Sequence, residues 1–435
     1  MPVRVLADGE RQMAADLWRY CFLDDRAFID WYFRRRAGDV LAMLDGAELA
    51  AQIVCSVLPV DMRGVPRQAM MLSGVATAPA WRRQGHMAKL ISECFSYLRD
   101  RGFCAAALYP FDYDYYQRFG FARCGEVATA RAGISLLPAP KPRGRIVPLH
   151  GGEADVAMLV RAYELCFSHC SGHVLRDREA FVVRLEEHAL DDGYAAVYTR
   201  DGREEGYILY SMQDKTFCVG EIGAASHQAR EDLLGFIAGH SSTAETVEFT
   251  CALEDPLWRL LSDPRGVVSA EPYDMMRIVD IGGAMSGLPV GGDGGDGDDR
   301  FSPGQGRQAA GDRSDSRIGA VTLRVLDPQA PWNDGIWSFS ASGGLLAAEK
   351  LPAVTQAVSA GQAPPTKPAL AAEYAQTAGQ TPDMPTLTIG ELTAWAFGCA
   401  GGADLIRSGA ALTEDTARAM DALLPKKPFF IYEMY

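Results

Sequence analysis

Apolar positions along the chain switch between continuous runs, alternation and a helical period, and the switches mark its elements. Ala69 to Val75 is one apolar run that reads as a buried strand ending in Gly74. After Ala78-Pro79-Ala80 and the basic turn Arg82-Arg83-Gln84-Gly85-His86-Met87 the period becomes helical. Met87, Leu90, Ile91, Cys94, Phe95 and Leu98 share one face, with Lys89, Glu93, Arg99 and Asp100 on the other. Cys104 to Tyr109 reads as the next strand, so strand, turn, helix and strand make one β-α-β unit. Ahead of it, Val3 to Leu6 predicts a strand, and Met13, Leu17 and Tyr20 share a helical face. Asp24-Asp25-Arg26 then opens a helix over Ala27 to Arg35, and Val40 to Leu44 with Leu49 to Leu58 predicts a hairpin around Asp45-Gly46.

Further along, Ala128 to Leu137 reads as a strand closing this unit, and Pro138 to Pro148, with four prolines, as a linker or bridging strand. A second α/β unit follows: helices over Val156 to Cys166 and Arg176 to His188, and strands over Ala195 to Tyr198, Gly206 to Gln213, Phe217 to Ala224, Thr246 to Cys251 and Met275 to Asp280. Ser286 to Arg317 is rich in Gly and Asp with almost no apolar residue, which predicts a flexible linker. Beyond it, Val321 to Pro328 and Trp332 to Phe339 read as a hairpin, and Lys350 to Pro385 as a loop insert. Thr388-Ile389-Gly390-Glu391 is a capping box before the helix Leu392 to Phe397, which ends near Gly398. The final run Phe429 to Tyr435 is apolar up to an aromatic last residue, where most chains end in polar text, so its carboxylate is expected to be held in place.

Composition narrows the chemistry. A length of 435 residues at 48% hydrophobic content fits two to four domains with their own cores. No apolar run approaches transmembrane length and no leader opens the chain. Ten scattered cysteines read as reduced core thiols of a cytoplasmic protein. A net charge of −14 argues against nucleic acid and anionic membranes; it suits a cationic substrate, or serves solubility alone. Cys166, His169, Cys170 and His173 stand at helical spacing, but Ser171-Gly172 ends the helix before His173, so no metal is expected. The one Gly-Gly-Asp-Gly-Gly-Asp copy at Gly291 falls short of the repeats a calcium β-roll needs. The basic turn is different, because a helix start presents unpaired N–H groups to an anion and its arginines add charge. Its spacing matches neither GxxxxGK[ST] nor GxGxxG.

Val75-x-Thr77 followed by Arg82-x-x-Gly85-x-Met87 resembles the acetyl-CoA signature of GNAT N-acetyltransferases, with Met87 where Gly or Ala is usual. Leu108-Tyr109-Pro110 and Tyr116-Gln117-Arg118-Phe119-Gly120-Phe121 narrow the resemblance to the Eis (enhanced intracellular survival) family, and Met276-Arg277-Ile278-Val279-Asp280 extends it into the second unit. The resemblance implies an α/β (α+β) protein with two tandem GNAT-like domains and a sterol-carrier-protein-like domain: residues 1–147 with the acetyl-CoA site, 148–285 without one because Ala224 to Ala229 lacks a basic Gly turn, a linker at 286–317, and 318–435.

It further implies acetyl transfer from acetyl-CoA, without a metal, to amines of polycationic small molecules such as aminoglycosides, polyamines or protein lysines. Cofactor contacts fall on Val75, Thr77, Arg82, Arg83, Gly85, His86 and Met87, with Tyr116 as general acid and the Tyr435 carboxylate as base or orienting group. Asp25, Trp31 and Glu433 are candidate amine contacts, although core packing is the plainer use of the aromatics around Trp31, and Met434 stands where the family carries an acidic residue. A homo-oligomer, a hexamer, is the implied assembly. Two readings stand beside this one: a tandem-GNAT acyltransferase using another acyl-CoA or amine, and a lipid-binding protein with no catalysis.

Overall fold

The computed structural model describes residues 1–291, 319–352 and 384–431. Of the flexible linker expected at 286–317, residues 286–291 are instead packed on the third sheet, because Leu288 is buried and Pro289 bridges Leu345; residues 292–317, most of the Lys350 to Pro385 insert, Glu433, Met434 and Tyr435 lie outside the described residues. The first third of the chain contains strands β1 (Val3–Val5), β2 (Val40–Asp45), β3 (Glu48–Met62), β4 (Val65–Thr77), β5 (Ala105–Leu108) and β6 (Ala122–Arg123), with helices α1 (Arg11–Phe22), α2 (Arg26–Arg35), α3 (His86–Asp100) and α4 (Tyr113–Gln117). The second unit has β7 (Glu126–Gly133), β8 (Arg145–Leu149), α5 (Glu153–Phe167), α6 (Arg178–Ala189), β9 (Tyr194–Arg200), β10 (Arg203–Gln213), β11 (Thr216–Ala224), α7 (His227–Ala238), β12 (Thr246–Ala252), β13 (Val268–Pro272), β14 (Met275–Ile278) and α8 (Ile281–Met285). The last part has β15 (Val321–Leu326), β16 (Gly335–Ser342), β17 (Leu345–Lys350) and β18 (Thr386–Thr388), then α9 (Ile389–Phe397), α10 (Gly402–Arg407) and α11 (Glu414–Leu423).

These strands form three sheets, ordered β1-β2-β3-β4-β5-β14-β6, β13-β7-β12-β11-β10-β9-β8 and β17-β16-β15-β18. The two large sheets exchange strands. The strand expected to close the first unit, β7, pairs instead with β12 and β13, and the strand expected in the second unit, β14, lies between β5 and β6. Strand length and apolarity are local signals, whereas the choice of pairing partner depends on where the chain crosses over, so each repeat is completed by the other's segment.

Side-chain alternation gives the first sheet two apolar faces. Met70, Leu72, Ala106, Leu108 and Met275 meet Leu90, Ile91, Cys94, Phe95 and Leu98 of α3. Met71, Ala105, Ala107, Met276 and Ile278 face the other way, onto Leu323, Phe339, Trp395 and Phe397 of the third sheet and its helices. The third unit therefore shares a core with the first sheet. Arg63, in the β3-β4 turn, pins the contact: its guanidinium donates to Ala396 O, Trp395 O and Pro425 O at 2.6, 2.8 and 2.8 Å, a cation on the carbonyl end of α9. The predicted capping box opens α9, with Thr388 accepting from the Glu391 N–H, and Gly398 in the left-handed conformation ends it.

Pro428 to Phe430 return to the seam between the repeats. Ser171 N–H donates to Pro428 O, Phe430 N–H donates to Ser171 O, and the Phe430 ring stacks on Phe167 at 4.9 Å. Phe429 covers Gly172, whose φ of +87° and missing Cβ both accommodate the crossing. Gly172→Ala should lower the unfolding free energy by more than about 1 kcal/mol in a urea titration, because a Cβ there would be strained and would displace the Phe429 ring.

Candidate active site

Strand β4 pairs with β5 only at Ala69 to Met71. From Leu72 onward β4 keeps β3 on one side and, among the described residues, has no strand on the other, so its backbone groups there are open to an extended ligand. The parting has a local cause: the β3-β4 register slips between Gln52 and Val54, and Gly74, at φ +52°, lies under the Trp18 indole with no room for a Cβ. Val75 and Thr77 fall on this open stretch. The packing of Trp18 on Gly74 is a feature that sequence reading missed, and an isolated glycine inside an apolar strand was its signal.

The turn that follows was legible. Pro79–Trp81 forms a short 3-10 helix, Arg83 takes φ +61° and Gly85 φ +79°, and α3 begins at His86. Among the described residues, the N–H groups of Arg83, Gln84, Gly85, His86, Met87 and Ala88 donate to nothing, since the first intrahelical donors are Lys89 to Gly85 O and those beyond it. Six successive free amides at a helix N-terminus form a cradle for phosphate oxygens. The Nε2 of His86 is buried there without a partner, a second polar group awaiting a ligand. Arg82 is committed within the loop, donating to Thr77 O at 3.0 Å and reaching Cys21 Sγ at 3.6 Å, while Arg83 is exposed. These residues fit the diphosphate of a coenzyme A thioester.

Tyr116 sits on α4, whose first turn is capped by Asp112 accepting from Tyr115 N–H at 2.9 Å. It is 3% exposed, packed edge-on against Phe111, Tyr115 and Phe121, in the same apolar cluster that takes up Val75 and Met87. Burial, and to a smaller degree the neighbouring Tyr115, pushes its phenol well above its ordinary value, so it stays protonated. Among the described residues its hydroxyl makes no hydrogen bond.

The candidate amine contacts are more scattered. Asp25 is exposed and caps α2 by accepting from Ala27 N–H at 2.6 Å. Trp31 is buried at the seam between the repeats, where its Nε1–H donates to Glu186 of α6 at 3.4 Å; Arg35 donates to the same carboxylate at 2.6 Å. The seam therefore uses Trp31 for packing. Cys166, His169, Cys170 and His173 share no helical face because α5 ends at Phe167; His173 Nδ1 lies 2.7 Å from Cys170 O, and no cluster suited to a metal occurs among the described residues.

The second unit has no counterpart of the turn before α3. Strand β11 leads into α7 through Ala225 and Ser226, and Ser226 caps the helix itself by accepting from Ala229 N–H. The connection is too short to form a turn like that before α3, and the cap takes up the Ala229 N–H.

Family comparison agrees with this geometry. Residues 2–124 match one acetyltransferase (GNAT) domain model and residues 172–278 match another. The chain is a tandem GNAT protein related to Eis. N-acetyltransferase Eis of Mycobacterium bovis is 26% identical over 262 residues, 55% of this chain and 64% of its own length. The chain thus spans about three fifths of the curated relatives it matches. Among solved structures, a probable N-acyltransferase from Enterococcus faecalis V583 superposes with a TM-score of 0.76 at 19% identity, covering 99% of both chains. Eis1 from Mycobacterium abscessus gives 0.69 at 20% identity, also covering 99% of both. These likenesses establish the tandem GNAT fold. Among the described residues, no helix is long and apolar enough to cross a membrane.

Proposed function

We propose that the protein transfers an acetyl group from acetyl-CoA to a primary amine of a polycationic small molecule, of the aminoglycoside or polyamine kind, or of a protein lysine. The observation that carries this reading is the free-amide turn at Arg83 to Ala88, set beside the open edge of β4 and a buried, protonated tyrosine. In the transfer the carbonyl carbon–sulfur bond breaks and a carbon–nitrogen bond forms, the nitrogen losing a proton and the sulfur gaining one. An amine near pKa ~10.4 needs that proton removed, and a thiolate near pKa ~8.5 leaves more readily when it receives one. Tyr116 is the donor to sulfur. The Tyr435 carboxylate is the base or orienting group; the preceding Phe429 to Ile431 are anchored at the repeat seam, and Ile431 lies beside Gly125. Asp25 and Glu433 attract the ammonium.

The same reading extends to a sterol-carrier-like third domain, domain limits at 147, 285 and 317, a cytoplasmic location and a homo-oligomer of six chains. Leu23, Phe111 and Tyr20, at 85%, 72% and 61% exposure, are apolar surface that an assembly would cover. The test is the stoichiometry of acetyl-CoA binding by calorimetry, expected at one per chain because the six-amide turn with its left-handed Arg83 and Gly85 precedes α3 and has no counterpart before α7, where Ser226 caps the helix; two per chain would refute the assignment of the cofactor to the first repeat.

A further inference from the structure

A hollow of about 770 Å³ opens where the three units meet. The β3-β4 turn supplies Arg63 and Val65, the segment after α5 supplies Ser168 and His169, and the strap between α11 and Phe429 supplies Pro425 to Pro428. Pro289 and Leu345, joined by an isolated bridge, line it from the third sheet. None of the residues assigned to acetyl-CoA, to the amine or to proton transfer lines it.

The charge around it has one sign. Arg63, Lys426 and Lys427 line the hollow and no carboxylate does, in a chain whose net charge is −14. Asp61, beside the turn, accepts from Gly64 N–H at 2.7 Å, and Asp404 lies 3.5 Å from Lys426; among the described residues Arg63 and Lys427 have no ion pair. His169 adds no charge at neutral pH, since burial lowers its pKa. Arg63 carries the argument furthest, because it is only 5% exposed. Three of its five N–H groups are used on the carbonyls of Ala396, Trp395 and Pro425, and the end of α9 offsets about half a charge. Burial lowers its pKa to about 10, so it stays charged at neutral pH, and a charge so buried is ordinarily matched by an opposite one. The cations also gather at one end of the hollow. Gly398 lies between them: a Cβ there would stand 3.0 Å from Lys427 Cβ and 3.3 Å from Arg63 Nη2. Val65, Pro289 and Leu345 supply an apolar wall, with Leu345 left 48% exposed.

We propose that this hollow binds an organic carboxylate with an apolar body, its carboxylate on Arg63 and Lys427 and its body against Val65, Pro289 and Leu345. The ligand supplies the negative charge that Arg63 lacks and covers the apolar wall in the same step. Because all three units contribute to the lining, it ties them together at their junction. The site goes beyond the acetyl-transfer reading and shares no residue with it.

The test is calorimetry of the full chain with octanoate, using octanol, which lacks the charge, and acetate, which lacks the apolar body, as controls. Octanoate should bind at one per chain, and each control at least about tenfold more weakly, since each gives up one of the two contacts. Lys426→Glu/Lys427→Glu, and separately Leu345→Glu, should each weaken octanoate binding at least about tenfold, because a carboxylate then faces that of the ligand. Circular dichroism and thermal unfolding report whether each variant is folded, and Leu345→Glu changes an exposed position, so it decides the matter if the lysine variant does not fold. Higher salt should weaken the wild-type affinity. No octanoate binding by the wild type, equal binding of octanol or acetate, or unchanged octanoate affinity in a folded variant would overturn the proposal. No acetyl-CoA or amine enters the experiment, so its failure would leave the transferase reading standing, and absent acetyl transfer would leave the binding result standing.

Discussion

Asp327→Ala will destabilise the protein by about 3–5 kcal/mol, the usual scale for stripping one partner from a buried ion pair. Asp327 and Arg277 are both fully buried, joined by two hydrogen bonds of 2.8 and 2.9 Å. Arg277 also donates to Phe119 O at 2.6 Å, and its guanidinium lies 4.0 Å over the Phe95 ring of α3. Burial lowers the pKa of Arg277 and Asp327 opposes that shift, so removing the carboxylate strands a charge in the core. Asn333 and the Ala330 N–H lose an acceptor in the same step. Because Arg277 sits on β14 and Asp327 just after β15, the loss should loosen the third unit from the first sheet. Chemical denaturation measures the change. The paired replacement Arg277→Met/Asp327→Leu should be milder than Asp327→Ala alone, since it removes the desolvation penalty along with the attraction; an equal or larger loss would show that the pair itself stabilises.

Tyr116→Phe should lower kcat by about 10²-fold or more while leaving acetyl-CoA affinity near its wild-type value. The hydroxyl is the only part removed, and the ring contacts with Phe111, Tyr115 and Phe121 persist, so folding should hold. Its raised pKa also sets the pH behaviour: the proton remains on oxygen through the neutral range and beyond the ordinary tyrosine value near 10, so no fall in rate on the alkaline side below that pH belongs to Tyr116. A steady-state comparison of the two proteins with a primary amine and a thiol reporter checks this. Unchanged turnover would remove Tyr116 from the reaction and leave water as the proton source.

Local physics was enough to read much of this molecule from its residues. The helical period from Met87 to Leu98 and the Gly85 turn before it foretold α3 and its free amides, because periodicity and a left-handed glycine act within a few residues. The capping box at Thr388 and the left-handed stop at Gly398 were legible for the same reason, as was the missing turn before α7. What the chain could not declare locally was partnership. Strands β7 and β14 have ordinary strand text, and only the crossover of the two repeats decides that each completes the other's sheet. Trp31 has the composition of a cleft residue or a core residue, and the approach of Glu186, 155 positions away, makes it a seam residue. Arg277 reads as a lone charge in an apolar strand until Asp327 arrives from the third unit. Turn geometry and helix period depend on neighbours in sequence, so the sequence by itself determined the glycine turn before α3; pairing, burial and charge compensation depend on neighbours in space, and only the tertiary structure decided those.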